Sequence, residues 1–200
     1  MAGQDWLIDE RGTCTAQTHL HPEPPPQPYR LYRFLTDVED ILVRVESDRQ
    51  RLKLICPLVR TLIENSPWLA WSVSLPDPET GWSVSMLYDE PDFPLTVQMV
   101  AWAGGTVSPI HNHGTWGIVA LLAGQEKNRF WRRSLTNPNH IEAAGDLTFF
   151  PGDLITFLPD AIHQVEALGD EPTISFNLYG ETNYQQRFRF DPQQGTANLF

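Results

Sequence analysis

The stretch GTVSPIHNHGTWGIVALLAG, residues 105–124, is the most informative part of this 200-residue sequence. It places His111 and His113 on either side of a single residue. Alternate residues of an extended strand point to the same face, so both imidazoles would project to one side of a sheet. Neutral imidazole binds Fe, Zn, Cu and Ni. The pair by itself is a weak indication of a metal site, because a facial set needs a third ligand.

His163 is the candidate for that third ligand. It follows the turn segment LPDAI and precedes the apolar residue Val165, where a strand is expected to begin. A second HxH pair, His19 and His21, lies in a proline-rich stretch and is predicted to be solvated. His140 lies in the polar segment TNPNHIE and is predicted to be exposed.

The second half of the chain reads as a series of short strands. β-branched and aromatic residues fill these segments, and Pro, Gly, Asn and Asp separate them. The predicted strands are 81–88, 95–102, 116–122, 128–134, 146–150, 154–157, 164–168 and 173–179, with a last one at 187–190. Many short strands at nearly regular spacing predict a closed barrel or jelly roll.

The first part of the chain has a different pattern. Residues 1–28 are polar and end in HPEPPPQPY, so we expect a flexible Pro-rich arm. Apolar residues recur at helical spacing over 29–65, which predicts two helices divided near Pro57 or at the charged segment ESDRQR. The expected organisation is therefore one domain over 29–200, with the helices outside a β-barrel at 71–200.

Composition restricts the range of partners. The net charge is −11 and the pI about 4.8, which disfavours nucleic acid and anionic membranes. No apolar run approaches the roughly 20 residues that span a bilayer. The N-terminal residues show no secretory signal, and the two cysteines indicate no disulfide framework. A cytoplasmic location is expected, and the oligomeric state stays open, a homodimer being one option.

Residues 105–124 and 150–165 together resemble the two motifs of the cupin superfamily. Gly105, the HxH pair and Gly124 match the first motif, and Pro159 with His163 matches the second. The resemblance implies a mainly β fold, a double-stranded β-helix or jelly-roll barrel with an added N-terminal helical segment. The glutamate ligand of the family would fall at Gly117 or Ile118, and neither can bind a metal. The implied ligand set is therefore three imidazoles, with Fe(2+) expected and Ni, Mn or Zn as alternatives.

Within that superfamily, the segment PIHNHGTWGIVALLAGQE is similar to the thiol dioxygenases, the cysteine and bacterial 3-mercaptopropionate enzymes. Their Ser–His–Tyr triad corresponds here to Ser175, Asn177 and Tyr179, so Asn replaces the His. The resemblance implies an arginine for the substrate carboxylate, at Arg187 or its neighbour Arg189. A rim position on a terminal strand is the alternative for both arginines.

Three other residues near these motifs have expected places. Trp116 is a candidate substrate contact, and barrel core is the alternative. Glu126 is expected in a turn, pointing away from the metal, and Gln164 is expected to face outward.

The resemblance implies an enzyme, an iron(II)-dependent dioxygenase. It would use O2 to oxidise a small thiol carboxylate of the 3-mercaptopropionate or cysteine type to a sulfinate. Two other functions remain open. One is a different three-His metal-dependent cupin enzyme, such as a dicarbonyl-cleaving dioxygenase, which the missing triad His favours. The other is a non-enzymatic cupin that binds a small ligand.

Overall fold

Two β-sheets that face each other contain most of the regular secondary structure. The computed structural model describes residues 3–18, 28–91, 93–137 and 139–200, and the pair His19 and His21 lies outside them. One sheet has seven strands and the other has six, and nearly all neighbouring strands are antiparallel. This architecture confirms the predicted mainly β fold, a jelly-roll barrel with a helical segment on one side.

The seven-stranded sheet has the order β2-β1-β9-β6-β11-β4-β3. Its strands are β1 Asp5–Ile8, β2 Cys14–Gln17, β3 Trp82–Asp89, β4 Leu95–Trp102, β6 Gly117–Ala123, β9 Leu154–Phe157 and β11 Thr173–Gly180. The six-stranded sheet has the order β13-β12-β5-β10-β7-β8. Its strands are β5 Ile110–His111, β7 Gln125–Arg133, β8 Ile141–Phe149, β10 Ile162–Leu168, β12 Phe188–Asp191 and β13 Thr196–Leu199.

Two helices cover the outer face of the seven-stranded sheet. Helix α1 spans Leu31–Arg44, α2 spans Asp48–Asn65, and a short 3-10 helix follows at Pro67–Trp71. The division falls at the charged segment, and Pro57 lies inside α2. Burial of α2 residues on both sides of that proline, Ile55 and Val59 among them, keeps the helix continuous. Within the described residues, no helix combines the length and apolarity needed to cross a bilayer.

The N-terminal segment differs from the predicted flexible arm. Residues 5–8 form β1, which pairs in parallel with β9 and antiparallel with β2. Side chains of β1 alternate: Ile8 faces the barrel interior, whereas Asp5 faces α2 and forms a buried ion pair with Arg60. Arg60 also donates to the carbonyl of Gly3 at 3.1 Å. The ion pair, the added sheet pairing and the burial of Leu7 and Ile8 explain why this short segment is ordered.

The seven-stranded sheet separates two apolar clusters, and a third cluster, which includes Ile162 and Phe190, lies on the six-stranded sheet. Outside the sheet, the helices pack on a cluster that includes Phe34, Met99 and Phe176. Inside the barrel, a second cluster includes Phe130 and Phe149 and fills one end of the space between the sheets. The remaining interior is an open cavity of about 670 Å³.

Candidate metal centre

Three histidines converge in the cavity. His111 ends β5, His113 lies two residues further on, and His163 lies on β10 opposite His111 in antiparallel register. The candidate ligand nitrogens of the three side chains all lie within 4.8 Å of one another. The Nε2 atoms of His113 and His163 are 2.9 Å apart. A group predicted from two separate motifs is thus brought together by strand pairing.

Hydrogen bonds orient two of these rings. His111 Nδ1 lies 2.9 Å from the Pro109 carbonyl oxygen, and His163 Nδ1 lies 2.8 Å from Asn128 Oδ1. Both oxygens accept, so each Nδ1 carries the proton and each Nε2 is left bare. Partners of this kind fix the tautomer of metal-binding histidines. His111 and His163 therefore present unprotonated nitrogens towards the same point.

The geometry of the group suits a divalent metal. For metal–nitrogen bonds of about 2.1 Å, two ligands at right angles lie about 3.0 Å apart. The separation of 2.9 Å between His113 and His163 matches that value. Two bare nitrogens at this distance repel each other unless a proton or a cation lies between them.

Burial keeps the three imidazoles neutral. It lowers the pKa of His111 to about 4, against the opposing hydrogen bond to Pro109, and Arg187 lowers it further. Burial also lowers the pKa values of His113 and His163 well below 6.5, and the neighbouring imidazoles add to the effect. Neutral imidazole is the form that binds metal ions.

Among the described residues, no carboxylate joins the three-histidine group. Tyr179 occupies the space where the first motif would place one. Gly117 lies opposite Tyr179 in register, and a Cβ atom built there would lie 2.7 Å from Cδ1 of the tyrosine ring. That ring stacks on His113, with centroids 4.8 Å apart and planes at 26°. Gly117 is thus required for Tyr179 to contact the histidine group.

The three candidate residues of β11 form one hydrogen-bonded row facing the cavity. Tyr179 donates its hydroxyl hydrogen to Asn177 Oδ1 at 3.1 Å, and Asn177 Nδ2 donates to Ser175 Oγ at 2.9 Å. Asn177 thus links its two neighbours by accepting on one side and donating on the other. Burial raises the pKa of Tyr179 above its usual value, and Arg187 opposes the rise. The tyrosine therefore stays protonated near neutral pH.

Arg187 brings a positive charge into the same cavity. Its guanidinium carbon lies 4.5 Å from the centroid of the Phe200 ring, and that ring in turn stacks on His111 at 5.7 Å. Arg187 Nε is buried, and no acceptor reaches it among the described residues. A buried guanidinium donor without a partner is costly, so the cavity favours an anionic ligand here.

Asn112 fixes the position of Arg187. It points away from the histidine face, as the strand alternation predicts. Its Nδ2 donates to the carbonyl of Gln186 at 2.8 Å, and its Oδ1 accepts the N–H of Phe188 at 2.7 Å. These bonds bracket residue 187 on both sides. The residue between the two histidines thereby couples the candidate metal centre to the candidate anion site.

Two candidate substrate contacts lie elsewhere. Trp116 has the same strand parity as Ile118 and Ala120 and packs with them against the helices, so it is core and does not line the cavity. Arg189 pairs with His111 in register, yet its side chain is exposed and is not part of the cavity wall. Arg187 is therefore the candidate arginine that faces the histidines. Gln164, expected to face outward, donates to the Ser108 carbonyl and is half-buried.

Sequence reasoning missed several residues of the site. Asn128 orients His163, Phe200 covers His111 and Arg187, and Glu126 is a buried acid on the cavity wall. The expected strand began at residue 128, whereas β7 begins at Gln125, so Glu126 was expected in a turn. The inward alternation of Glu126, Asn128 and Phe130 was the available signal.

Comparison with known proteins finds solved structures that resemble this chain at low sequence identity. No protein-family model matches the sequence. Solved structures that it resembles include oxalate oxidase, with 14% identity over 52% of this chain and 53% of that one and a TM-score of 0.39. A cupin-2 domain from Rhodospirillum rubrum has 18% identity over 52% and 62% of the two chains, TM-score 0.39. KdgF from Halomonas sp. has 18% identity over 54% and 86%, TM-score 0.42.

This chain spans about half the length of the oxalate oxidase that it resembles. Similarity at this level carries no statement about activity. The topology shows a jelly-roll barrel, and the three histidines inside it can hold a metal ion.

Proposed function

We propose that this protein is an iron(II)-dependent dioxygenase that oxidises a small thiol carboxylate to the corresponding sulfinate. Both atoms of O2 would end on the sulfur of the substrate. The observation that carries the proposal is the buried, unpartnered Nε of Arg187 in the same cavity as three neutral imidazoles. A ligand set without a carboxylate leaves the full charge of the dication, which favours an anionic donor such as a thiolate.

His111, His113 and His163 would hold the metal, which would supply the redox chemistry between thiol sulfur and dioxygen. Arg187 would bind the substrate carboxylate through the N–H donors of its planar fork. Ser175, Asn177 and Tyr179 would orient the site. Tyr179 is the member of this row that stacks on His113, and its hydroxyl can accept a hydrogen bond while it donates to Asn177.

The proposal is tested by oxygen uptake. The full-length chain, purified and loaded with iron(II), is supplied with a panel of small thiols that includes 3-mercaptopropionate, cysteine and cysteamine. We expect thiol-dependent uptake of one O2 per sulfinate formed. Absence of thiol-dependent uptake across the panel would refute the proposed activity.

Substitution of Arg187 tests its proposed contact with the substrate carboxylate, and substitution of Arg189 is the matched control. Arg187→Gln should raise the KM for 3-mercaptopropionate by about 10²-fold, because a charged hydrogen-bonded contact is worth about 3 kcal/mol. The KM for cysteamine, which has no carboxylate, should not change. Arg189→Gln, at the exposed neighbouring position, should behave as the parent with both thiols.

A second candidate function is a three-His enzyme that cleaves a dicarbonyl substrate. It is favoured by Asn177, because an amide cannot exchange a proton near neutral pH as the family histidine can. Oxygen uptake in the presence of a 1,3-dicarbonyl, without uptake in the presence of thiols, would support this second function and refute the first. A variant Tyr179→Phe that keeps full activity on the dicarbonyl would point the same way.

A further inference from the structure

The cavity has a second polar end, built around Glu126. This side chain is 2 % exposed and lies on the cavity wall. Thr173 Oγ1 donates to its Oε1 at 2.8 Å. Within the described part of the chain, no lysine, arginine or histidine forms an ion pair with Glu126. A buried carboxylate without a counter-charge is costly, so the position is explained best by a ligand that supplies that charge.

Strand register places this end away from the histidines. On β7, Phe130 lies opposite His163, and Glu126 lies further along the same inward row. On β11, Thr173 and Tyr179 lie towards opposite ends of the strand. The cavity therefore has a basic end with Arg187 and the histidines, and an acidic end with Glu126. The charges at both ends affect Tyr179: Arg187 lowers the pKa of its hydroxyl group, and Glu126 raises it.

Two tryptophans continue the wall beside Glu126. Trp102 is the register partner of Thr173 on one side and of Trp82 on the other. Both indoles line the cavity, with ring centroids 5.9 Å apart and planes tilted by 31°. Trp82 is 42% exposed although it belongs to the cavity wall. An indole face and a carboxylate on the same cavity wall both attract a cation, the first by its ring quadrupole and the second by direct charge.

We propose that Glu126, Trp102 and Trp82 form a cation subsite, which receives an ammonium or quaternary ammonium group of the substrate. The substrate is then a zwitterionic thiol whose carboxylate reaches Arg187 while its cationic group reaches Glu126. This inference rests on the proposed function only for the claim that the substrate is a thiol. The separation of a basic end from an acidic end is a property of the cavity itself. The cavity of about 670 Å³ is large enough for a drug-sized ligand and exceeds what a minimal thiol carboxylate needs.

Burial disfavours the ionised form of Glu126 in the ligand-free protein. It raises the pKa of Glu126 to about 7, and the hydrogen bond from Thr173 opposes the rise only in part. A bound cation would favour the ionised form and reverse the shift. If Glu126 stayed protonated and acted only as a hydrogen-bond donor, the cavity would bind an uncharged ligand in preference to a cation of the same shape.

The test compares a cation with its neutral isostere. Binding of 4-(trimethylammonio)butyrate and of 5,5-dimethylhexanoate is measured by calorimetry on the full-length chain, under nitrogen, with and without iron(II). We expect the cation to bind about tenfold more tightly than the isostere, corresponding to a desolvated cation–π contact plus a charge pair. Equal or tighter binding of the neutral isostere to the parent would overturn the proposal.

Single substitutions identify the residues that cause the preference for the cation over its neutral isostere. Glu126→Gln keeps the shape and removes the charge, and it should abolish the tenfold ratio. Trp82→Ala should lower the ratio several-fold, whereas Trp71→Ala, an exposed tryptophan outside the cavity, should leave it unchanged. An unchanged ratio in a folded Glu126→Gln protein would also overturn the proposal. The readout needs no turnover, so failure of the oxygen-uptake assay and failure of the subsite are seen separately.

Discussion

The two faces of β11 show how differently this protein uses one strand. Ile174, Phe176 and Leu178 face the helices and belong to the apolar cluster outside the sheet. The alternate residues form the hydrogen-bonded row that faces the cavity. Adjacent residues of this strand thus alternate between the apolar core under the helices and the candidate site in the cavity.

The difference indicates where stability resides. On the helix-facing side, the side chains are buried among apolar neighbours, and each contributes to the free energy of unfolding. On the cavity side, buried polar groups such as Glu126 and Arg187 Nε are incompletely partnered among the described residues and cost free energy. Substitutions on the first face should therefore lower stability, whereas those on the second should also change binding and turnover, and removal of an uncompensated charge there should raise stability. Four changes test that division.

Phe176→Ala should give the largest loss of stability. The ring is fully buried and meets Phe34 edge-to-face at 6.1 Å, so removing it should cost about 3–5 kcal/mol. Urea unfolding measures the change, and Trp71→Ala, with an 85% exposed side chain, is the control expected within about 0.5 kcal/mol of the parent. A Phe176→Ala protein as stable as the parent would contradict the division between faces.

Glu126→Gln should stabilise the ligand-free protein at alkaline pH. The folded-state pKa of about 7 lies above the ordinary value of 4.5, so the carboxyl contributes stability below pH 4.5 that is lost as pH rises through 7. At 1.36 kcal/mol per pKa unit, the variant should exceed the parent by roughly 3 kcal/mol at pH 8 and match it at pH 4. Unfolding curves across this range measure the difference, and a pH-independent difference would argue against an uncompensated acid.

Gly117→Ala should act on the cavity face through Tyr179. The new Cβ would lie 2.7 Å from the tyrosine ring, and such overpacking costs about 1–3 kcal/mol. In a Tyr179→Ala background the same substitution should cost less than about 0.5 kcal/mol, because the clash is gone. Equal costs in the two backgrounds would show that the ring does not occupy this space.

Tyr179→Phe should have the smallest effect on stability. It removes the 3.1 Å bond to Asn177 and keeps the ring on His113, which costs about 1 kcal/mol. Oxygen uptake should fall by about 10²-fold, the usual contribution of a positioned proton donor, with bound metal unchanged. Ser83→Ala, a hydroxyl outside the cavity that donates to Ser74, is the matched control. Loss of metal from Tyr179→Phe would contradict the separate roles given to the tyrosine and the histidines.

Local alternation explains what the sequence could reveal. The bounds of β4 and β9 agree with prediction, and the shared face of Ser175, Asn177 and Tyr179 follows from strand parity alone. The histidine group could be predicted from the sequence, because each of its two motifs combines turn residues with an apolar strand.

Three features depended on information that no local pattern contains. The strand β1 is ordered through pairing with β9 and through Arg60, both distant in sequence. Both faces of β6 are apolar, so the side on which Trp116 packs could not be read from its neighbours. Arg187 and Arg189 share a parity, and only the bracketing bonds of Asn112 and the cover of Phe200 distinguish them.

The most direct measurement is the metal content and iron(II) affinity of the parent and of three single variants, His111→Ala, His113→Ala and His163→Ala. The parent should hold about one divalent ion per chain, and each variant should bind iron(II) at least about 10²-fold more weakly, because removal of one of three ligands leaves an incomplete set. His140→Ala, at an exposed position outside the group, should bind as the parent does. Full metal content in His163→Ala, or no divalent metal in the parent after loading, would contradict the account.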